Sequence, residues 1–219
     1  MSIYSKTMSK PDEITSSALS MLTGRIQAGL HCDHPGVWLF LLGELAKGKP
    51  VSRACIARAL EMPSQKVQVA LDTFADIVYD DAGDIVACGL SLLKTPHSIR
   101  IADQQLYTWC ALDALMYPVA LDLTAQVESH CPVTGGPVRL TVTPTGVSQL
   151  SPGGVVVSLV TPTAEVGCCN VRNSFCNQVH FISSAQAAEN WRTTHLDATI
   201  LSVEEAWHLG HAVVQRRLK

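Results

Sequence analysis

The sequence is poor in charge and in long apolar runs, and each shortage excludes a class of protein. Charged residues make up only 16% of the 219-residue chain, whereas 47% of its residues are hydrophobic. A chain this apolar can bury a core, which excludes intrinsic disorder. The strongest apolar runs, 37–42 and 155–160, are far shorter than the roughly 20 residues that a membrane helix requires.

The chain also lacks an excess of one charge and a recognisable export signal. Its net charge is −3 at pH 7, so it has no general attraction to nucleic-acid phosphates or anionic membranes. The N-terminal segment 1–17 is polar and has no apolar stretch of the kind found in secretory signals. We therefore expect a cytoplasmic protein without nucleic-acid or membrane partners, whose 8 cysteines are thiols rather than disulfides.

The first 95 residues show helical spacing followed by a hairpin pattern. Segment 1–36 is mixed in character and is interpreted as an extension with one short helix. Beyond it, helices are predicted over 37–46, from the cap Ser52 to Leu60 and over 64–74, and strands over 77–79 and 85–93. This order is typical of a winged helix, which we place at 37–95.

Residues 96–219 combine strands with helices and form the predicted second domain. Strands are predicted over 98–101, 124–129, 138–143, 155–160, 178–182 and 198–201, and helices over 103–117, 185–194 and 203–218. Hairpin-length connections between the middle strands favour an antiparallel sheet. The expected fold is α+β, with an N-terminal winged-helix-like domain followed by an antiparallel sheet packed with helices.

A cysteine and an aspartate lie three residues apart in the predicted helix 103–117. Residues at this spacing share one helix face, so the thiol of Cys110 and the carboxyl group of Asp113 are expected to be neighbours. Apolar surroundings would favour the neutral carboxyl group, which can then donate a proton. The alternative interpretation is a packing cysteine beside a solvated aspartate.

A second cluster of thiols lies near the C-terminal third of the chain. It consists of Cys168, Cys169, Cys176 and His180. Several cysteines in a short segment suit a soft metal such as zinc, copper(I) or mercury(II). The spacing matches no zinc knuckle, and no C-x-x-C pair occurs in the chain. His180 alternates with apolar neighbours and is interpreted as a structural histidine.

Common catalytic motifs are missing. The chain has no G-x-S-x-G elbow, phosphate-binding loop, dinucleotide-binding loop or H-E-x-x-H helix. A papain-like pairing of Cys110 with His130 or His180 remains an alternative, although nothing in the spacing favours it. The cysteines of the N-terminal region are interpreted as packing residues: Cys32, Cys55 and Cys88.

Five segments carry a resemblance that extends over about residues 37–215. They are GELAKGKPVSRACIARAL (43–60), LYTWCALDALMYPVAL (106–121), SHCPVTGGPVRLTVTP (129–144), VVSLV (156–160) and VRNSFCNQVHF (171–181). In order and spacing they resemble the organomercurial lyases, also called alkylmercury lyases. Together they are more specific than any single cysteine motif.

The resemblance implies an active site of two cysteines and one aspartate. The family's W-C-A-L-D cysteine, its aspartate and its S-F-C-x-x-V-H-F cysteine correspond to Cys110, Asp113 and Cys176, as catalytic residues and mercury ligands. The cysteine of S-H-C, here Cys131, is implied to be structural. Some relatives carry a further cysteine where this chain has Asn177.

The resemblance also implies the reaction and its partners. Two thiolates hold R–Hg and the aspartate relays a proton, so that protonolysis gives a hydrocarbon and Hg(II), which stays bound as the product. No organic cofactor is required. The implied partners are small organomercurials, low-molecular-weight thiols and mercuric reductase as the Hg(II) acceptor. Two open choices remain: Cys168 and Cys169 are incidental or auxiliary mercury ligands, and Trp109 and Phe175 are apolar walls of the site or core residues.

The second hypothesis is a winged-helix transcriptional regulator that senses a soft metal through its C-terminal cysteines. Its recognition helix would be 64–74, which offers Lys66 as its one cation and includes Asp72. This charge disfavours DNA binding, and the resemblance instead implies a lid or packing domain. Release of a hydrocarbon distinguishes the lyase from the sensor, which would retain DNA without cleaving its ligand.

Overall fold

The chain has an α+β fold in which helices pack against two antiparallel sheets, as the sequence predicts. The computed structural model describes residues 16–29, 33–74, 77–160 and 171–219. All strand pairings among these residues are antiparallel. Three of the cysteines considered above lie outside the described residues: Cys32, Cys168 and Cys169.

Four helices come first along the described chain, and runs of strands separated by single helices follow. The helices are α1 (Ser16–Gly29), α2 (Pro35–Leu45), α3 (Arg53–Ala59), α4 (Ser64–Asp72), α5 (Ala111–Leu121), α6 (Val171–Ser174), α7 (Ala185–Arg192) and α8 (Val203–Arg217), and a 3-10 turn spans Cys176–Gln178. The strands are β1 (Val78–Tyr79), β2 (Ile85–Cys88), β3 (Leu90–Ser91), β4 (His97–Ile101), β5 (Gln104–Thr108), β6 (Ala125–His130), β7 (Pro137–Thr143), β8 (Gly146–Ser151), β9 (Val156–Val160), β10 (His180–Ile182) and β11 (Ala198–Ser202). None of the described helices has the length and apolar character needed to span a membrane.

The predicted helix pair near the N-terminus is present, but the winged-helix arrangement is not confirmed. Ser52 caps α3 by accepting a hydrogen bond from the Cys55 amide, as its position predicts. The hairpin β1–β2 continues into β3, which pairs with β5 through Leu90 and Thr108. One eight-stranded sheet, in the order β1-β2-β3-β5-β4-β6-β7-β8, therefore crosses the predicted domain boundary at residue 95.

The predicted helix 103–117 is wrong in its first half. Gln104–Thr108 is strand β5, which turns back on β4 at Ala102, where φ is 49°. From Leu106 to Thr108 the side chains are buried, partly exposed and buried in turn, which is the period of a strand. Helix α5 begins only after Cys110 and continues through Pro118 to Leu121, so the predicted end of the helix at residue 117 is also wrong.

The large sheet buries one face and leaves the other exposed. On β6 the buried residues Ala125, Val127 and Ser129 alternate with exposed ones, and β7 repeats the pattern. Its last strand, β8, was not predicted because the segment 146–151 has no buried residue and few apolar ones. The small sheet has the order β10-β9-β11.

Helix α5 forms the buried centre of the molecule. Residues 111–118 are all buried, and the helix contacts α2, α8, β4, β5, β7 and β10. Helix α8 comes closest at Gly210, where a Cβ atom would lie 3.4 Å from the Met116 side chain. A side chain at the N-terminal end of α5 is thus held in an apolar interior.

Candidate active site

Cys110, Asp113 and Cys176 come together at the N-terminal end of α5. Their ligand atoms, two sulfurs and a carboxyl oxygen, all lie within 4.8 Å of one another. The three residues are 0%, 6% and 4% exposed. The structure therefore brings together the three site residues named from the sequence.

Cys110 occupies the N-cap position of α5 rather than a position within the helix. Its backbone is extended, and its Sγ accepts a hydrogen bond from the Asp113 amide at 3.4 Å. The Thr108 hydroxyl donates to the Cys110 carbonyl at 3.1 Å and fixes the residue from the strand side. The predicted proximity of Cys110 and Asp113 is correct, but it results from a helix cap instead of a shared helix face.

Cys176 is held opposite α5 by one backbone hydrogen bond between segments distant in sequence and one local bond. The Ala111 amide donates to the Val179 carbonyl at 3.1 Å, and the Val179 amide donates to the Cys176 carbonyl, also at 3.1 Å. Strand β10 anchors the segment to the small sheet, where Phe181 pairs with Val157. This contact positions the second thiol independently of any local motif.

Burial sets the protonation of the cluster. It raises the pKa of the Cys110 thiol well above its usual value, and the hydrogen bond with Cys176 and the charge of Asp113 act in the same direction. Burial also raises the pKa of Asp113 to about 6, although hydrogen bonds from Tyr117 and Cys110 and the charge of Arg217 oppose it. The site thus contains a protonated thiol beside a carboxyl group that exchanges its proton near neutral pH.

One oxygen of the Asp113 carboxyl group has no hydrogen-bond partner. Oδ2 is buried, and no residue in the described part of the chain bonds to it. A buried carboxyl oxygen without a partner is costly and is explained most readily by a bound proton or ligand. A proton on Oδ2 would remove this cost, which agrees with the raised pKa of the carboxyl group.

The aromatic neighbours of the two cysteines differ in their surroundings. Phe175 is buried and belongs to the hydrophobic core. Trp109 is half-buried, and the Arg172 guanidinium lies 5.5 Å from the centre of its ring. Trp109 thus forms an outer wall beside Cys110, whereas Phe175 supports Cys176 from the core.

The histidines considered as papain-like partners lie apart from the cluster. His130 is exposed at the end of β6. The Nε2 atom of His180 lies 2.9 Å from the Asn177 carbonyl oxygen, and its ring contacts Trp191 edge-on. No histidine of the described residues joins the three-residue cluster. The geometry therefore does not support a cysteine–histidine pair.

Cys131 lies outside the cluster, in the turn between β6 and β7. Its amide donates to the Gly136 carbonyl at 2.9 Å, and its carbonyl accepts from the Gly135 amide at 2.8 Å. Burial raises the pKa of its thiol, but hydrogen bonds with Ser183 and Thr134 outweigh this and lower it to about 7. The residue closes a turn and contacts the segment after β10.

Sequence reasoning missed two side chains that act on Asp113. Tyr117 follows Asp113 by four residues, and this helical spacing is a signal that could have identified it. Arg217 comes from the far end of α8, and only the packing of α8 on α5 brings its charge near. Sequence spacing contains no signal for such a contact.

The fold and the cluster together define a class: an α+β protein with a buried centre of two thiols and one carboxyl group, which suits a soft, thiophilic metal. The family model for alkylmercury lyase matches residues 90–215. The chain therefore belongs to the alkylmercury lyase family, whose members cleave carbon–mercury bonds.

Curated relatives and a solved structure agree with this family. An alkylmercury lyase from Streptomyces lividans is 42% identical over 190 residues, which cover 87% of each chain. One from Pseudomonas putida is 40% identical over 183 residues, which cover 84% of this chain and 85% of that one. The crystal structure of the mercury-bound form of MerB2 shares the fold with a TM-score of 0.76 at 23% identity, covering 93% of this chain and 100% of that one.

Proposed function

We propose that this protein cleaves the carbon–mercury bond of alkyl- and arylmercury compounds by protonolysis, with Cys110 and Cys176 as mercury ligands and Asp113 as the proton donor. The observation that carries the proposal is the buried cluster, in which two sulfurs and a carboxyl oxygen lie within 4.8 Å. Thiols supply the ligands that a soft metal ion prefers. The carboxyl group supplies the proton that the departing carbon needs.

The atoms balance without a further reactant. A substrate R–Hg–X and the two protein thiols give RH, HX and mercury bound to two thiolates. One thiol proton leaves with X, and the other passes through Asp113 to carbon as the electrons of the Hg–C bond form the new C–H bond. Mercury remains in the +2 state, so we propose no organic cofactor and Hg(II) as the bound product.

Burial makes the proton transfer effective. Asp113 has a pKa raised to about 6, so it can accept a proton from a thiol and release it again near neutral pH. The apolar surroundings exclude water that would otherwise compete for the proton. The unpartnered Oδ2 atom is an oxygen on which that proton can reside.

Product release requires another thiol, because Cys110 and Cys176 are both buried. We propose low-molecular-weight thiols or mercuric reductase as the acceptor of Hg(II). Cys168 and Cys169 remain candidates for auxiliary mercury ligands. The cytoplasmic location expected from the sequence also stays a prediction.

Benzene release from phenylmercury acetate in excess thiol tests this function directly. The wild-type protein is expected to release benzene over many turnovers, whereas Cys110→Ser and Cys176→Ser should fall to the background rate. Cys55→Ser is the matched control, because it removes a thiol of α3 outside the cluster. Full activity in either site variant would refute its assignment, and a wild-type protein that binds phenylmercury and retains DNA without releasing benzene would favour the sensor.

A further inference from the structure

We infer that Thr108 is a positioning residue for mercury binding: its hydroxyl group fixes the peptide group between Cys110 and Ala111, and this peptide group sets the spacing of the two thiols. The inference rests on the proposed role of Cys110 and Cys176 as mercury ligands. It assigns to Thr108 no contact with the substrate itself.

The first support is the hydrogen bond between the Thr108 hydroxyl and the Cys110 carbonyl. Thr108 is 0% exposed, and its Oγ1 atom donates to the carbonyl oxygen at 3.1 Å. Water cannot take the place of either group at such a buried position, so losing the bond carries a cost. The same carbonyl accepts the Ala114 amide at 3.2 Å, which is the first hydrogen bond of α5. The carbonyl is therefore held from both β5 and α5.

The second support is that the same peptide group carries the bond to the segment of Cys176. The Ala111 amide donates to the Val179 carbonyl, and the Val179 amide donates to the Cys176 carbonyl, each at 3.1 Å. A peptide group is planar, so the Cys110 carbonyl and the Ala111 amide turn together. The Thr108 hydroxyl thus holds the backbone of Cys110 directly and that of Cys176 through these two further bonds.

The third support is the fixed position of Thr108 itself. Its strand β5 lies inside the large sheet, where Thr108 pairs with Leu90 of β3 and His97 of β4. The Thr95 hydroxyl donates to the Thr108 carbonyl. A β-branched side chain is also restricted in its rotation about the first side-chain bond. The hydroxyl group is therefore a fixed point of the sheet from which the two thiols are placed.

A fixed spacing matters because one mercury ion must contact both sulfurs. The two sulfur atoms lie within 4.8 Å of each other, and thiols that are already placed bind an ion without the entropy cost of being ordered. Loss of the Thr108 hydroxyl would leave both thiols present but would let the peptide group between residues 110 and 111 turn. The effect should therefore appear in how tightly the pair of thiols retains mercury.

The experiment measures the dissociation constant of Hg(II), loaded at one equivalent per protein, by competition with dithiothreitol. It compares wild type with Thr108→Val, which exchanges the hydroxyl group for a methyl group, and with Thr108→Ser, which keeps it. We expect the dissociation constant to rise about five- to tenfold in Thr108→Val, as for the loss of one hydrogen bond, and to return close to the wild-type value in Thr108→Ser.

Thr73→Val is the matched control. The Thr73 hydroxyl donates to the Ala70 carbonyl at 2.7 Å at the end of α4, outside the cluster. Both valine variants lose a hydrogen bond to a carbonyl, so both mercury-free proteins should unfold at a lower temperature. Only Thr108→Val should retain mercury less tightly. Thr108→Ala removes the same hydroxyl group and provides the same comparison should valine prevent folding.

A double-mutant cycle separates spacing from general stability. In a Cys176→Ser background one thiol of the pair is gone, so Thr108→Val should weaken mercury retention no further. An unchanged dissociation constant in Thr108→Val, no recovery in Thr108→Ser, an equal rise in Thr73→Val or a full further rise in the Cys176→Ser background would each overturn the inference alone.

The same measurements distinguish this inference from the proposed function. A wild-type protein that retains Hg(II) but releases no benzene would overturn the proposed cleavage and not the role of Thr108. A Cys176→Ser variant that retains Hg(II) as tightly as wild type would overturn both the proposed ligands and this inference.

Discussion

The proposed proton transfer to carbon depends on one side chain, that of Asp113. Asparagine has nearly the same shape but cannot donate a carboxyl proton, so Asp113→Asn should still bind phenylmercury through the two thiols. We expect benzene release in a single turnover to fall by about 100-fold or more, the usual contribution of a general acid. Rapid quenching followed by gas chromatography measures this step.

The control for this variant lies on the same helix. Asp122 is exposed at the C-terminal cap of α5, with a φ of 54° that asparagine also tolerates. Asp122→Asn should therefore cleave at the wild-type rate. A wild-type single-turnover rate in Asp113→Asn would exclude the aspartate as the proton donor.

At this scale the sequence predicts which residues take part better than how they are placed. The motif segments identify Cys110, Asp113 and Cys176, and the structure groups them. Cys110 and Asp113 are neighbours as predicted, but they do not share a helix face, because Cys110 caps α5 from outside the helix. The sequence does not single out Tyr117, because a helical tyrosine four residues after an aspartate is not specific to a site.

Among the elements, β4 carries a buried histidine that links stability to pH. His97 is 2% exposed, and its Nδ1 atom lies 2.8 Å from the Ser129 hydroxyl on β6. The rings of His180 and Phe181 lie against it, each with centroids 6.0 Å away. Burial, with a smaller effect of the charge of His180, lowers the pKa of His97 from 6.5 to about 3.

This shift predicts that His97 destabilises the folded protein in mild acid. Between pH 6.5 and 3 the unfolded chain binds a proton at His97 that the folded chain does not. His97 should therefore lower the free energy of unfolding by up to about 1.4 kcal/mol per pH unit as the pH falls, whereas the raised pKa of Asp113 acts in the opposite direction below about pH 6. Urea denaturation at pH 7, 6 and 5 measures the slope.

His97→Gln provides the comparison for that slope. The variant should be less stable at pH 7 but should depend less on pH between 6.5 and 5, since it removes the titrating group. His208→Gln, on the exposed side of α8, should leave the slope unchanged. Equal slopes in wild type and His97→Gln would show that another group is responsible.

Helices and strands are predicted correctly where either the helical or the strand periodicity clearly dominates the sequence. The cap at Ser52 and the alternation on β6 are local signals, and both correspond to what forms. The helix predicted for segment 104–108 is wrong because Leu106 and Cys110 also match a helical period, and the turn at Ala102 lacks the glycine that usually marks a hairpin. Pairing with β3 and β4 settles it as a strand.

For the whole molecule, the continuous sheet implies one cooperative unit. The pairing of β3 with β5 and the contact of α2 with α5 join the segments on either side of residue 95. We expect one calorimetric unfolding transition in the mercury-free protein, with a ratio of calorimetric to van't Hoff enthalpy near one. Two resolved transitions would show that the segments unfold independently.

Sequence patterns do not predict that one sheet joins the two predicted domains. Composition and hairpin-length loops indicate an antiparallel α+β fold, and that much is correct. The pairing of Leu90 with Thr108 and the bond from Ala111 to Val179 join residues far apart in the chain. No local periodicity records such contacts, because they depend on how complete elements pack.

The N-cap position of α5, which Cys110 occupies, suggests how this protein can lose activity without losing stability. Serine caps a helix better than cysteine does, and at residue 110 it would keep the bond to the Asp113 amide. If Cys110 acts as proposed, a single exchange of sulfur for oxygen would thus yield an inactive protein that folds as well as before. Selection for stability alone would favour serine there, so a lineage would retain the thiol only while exposure to its substrate continues.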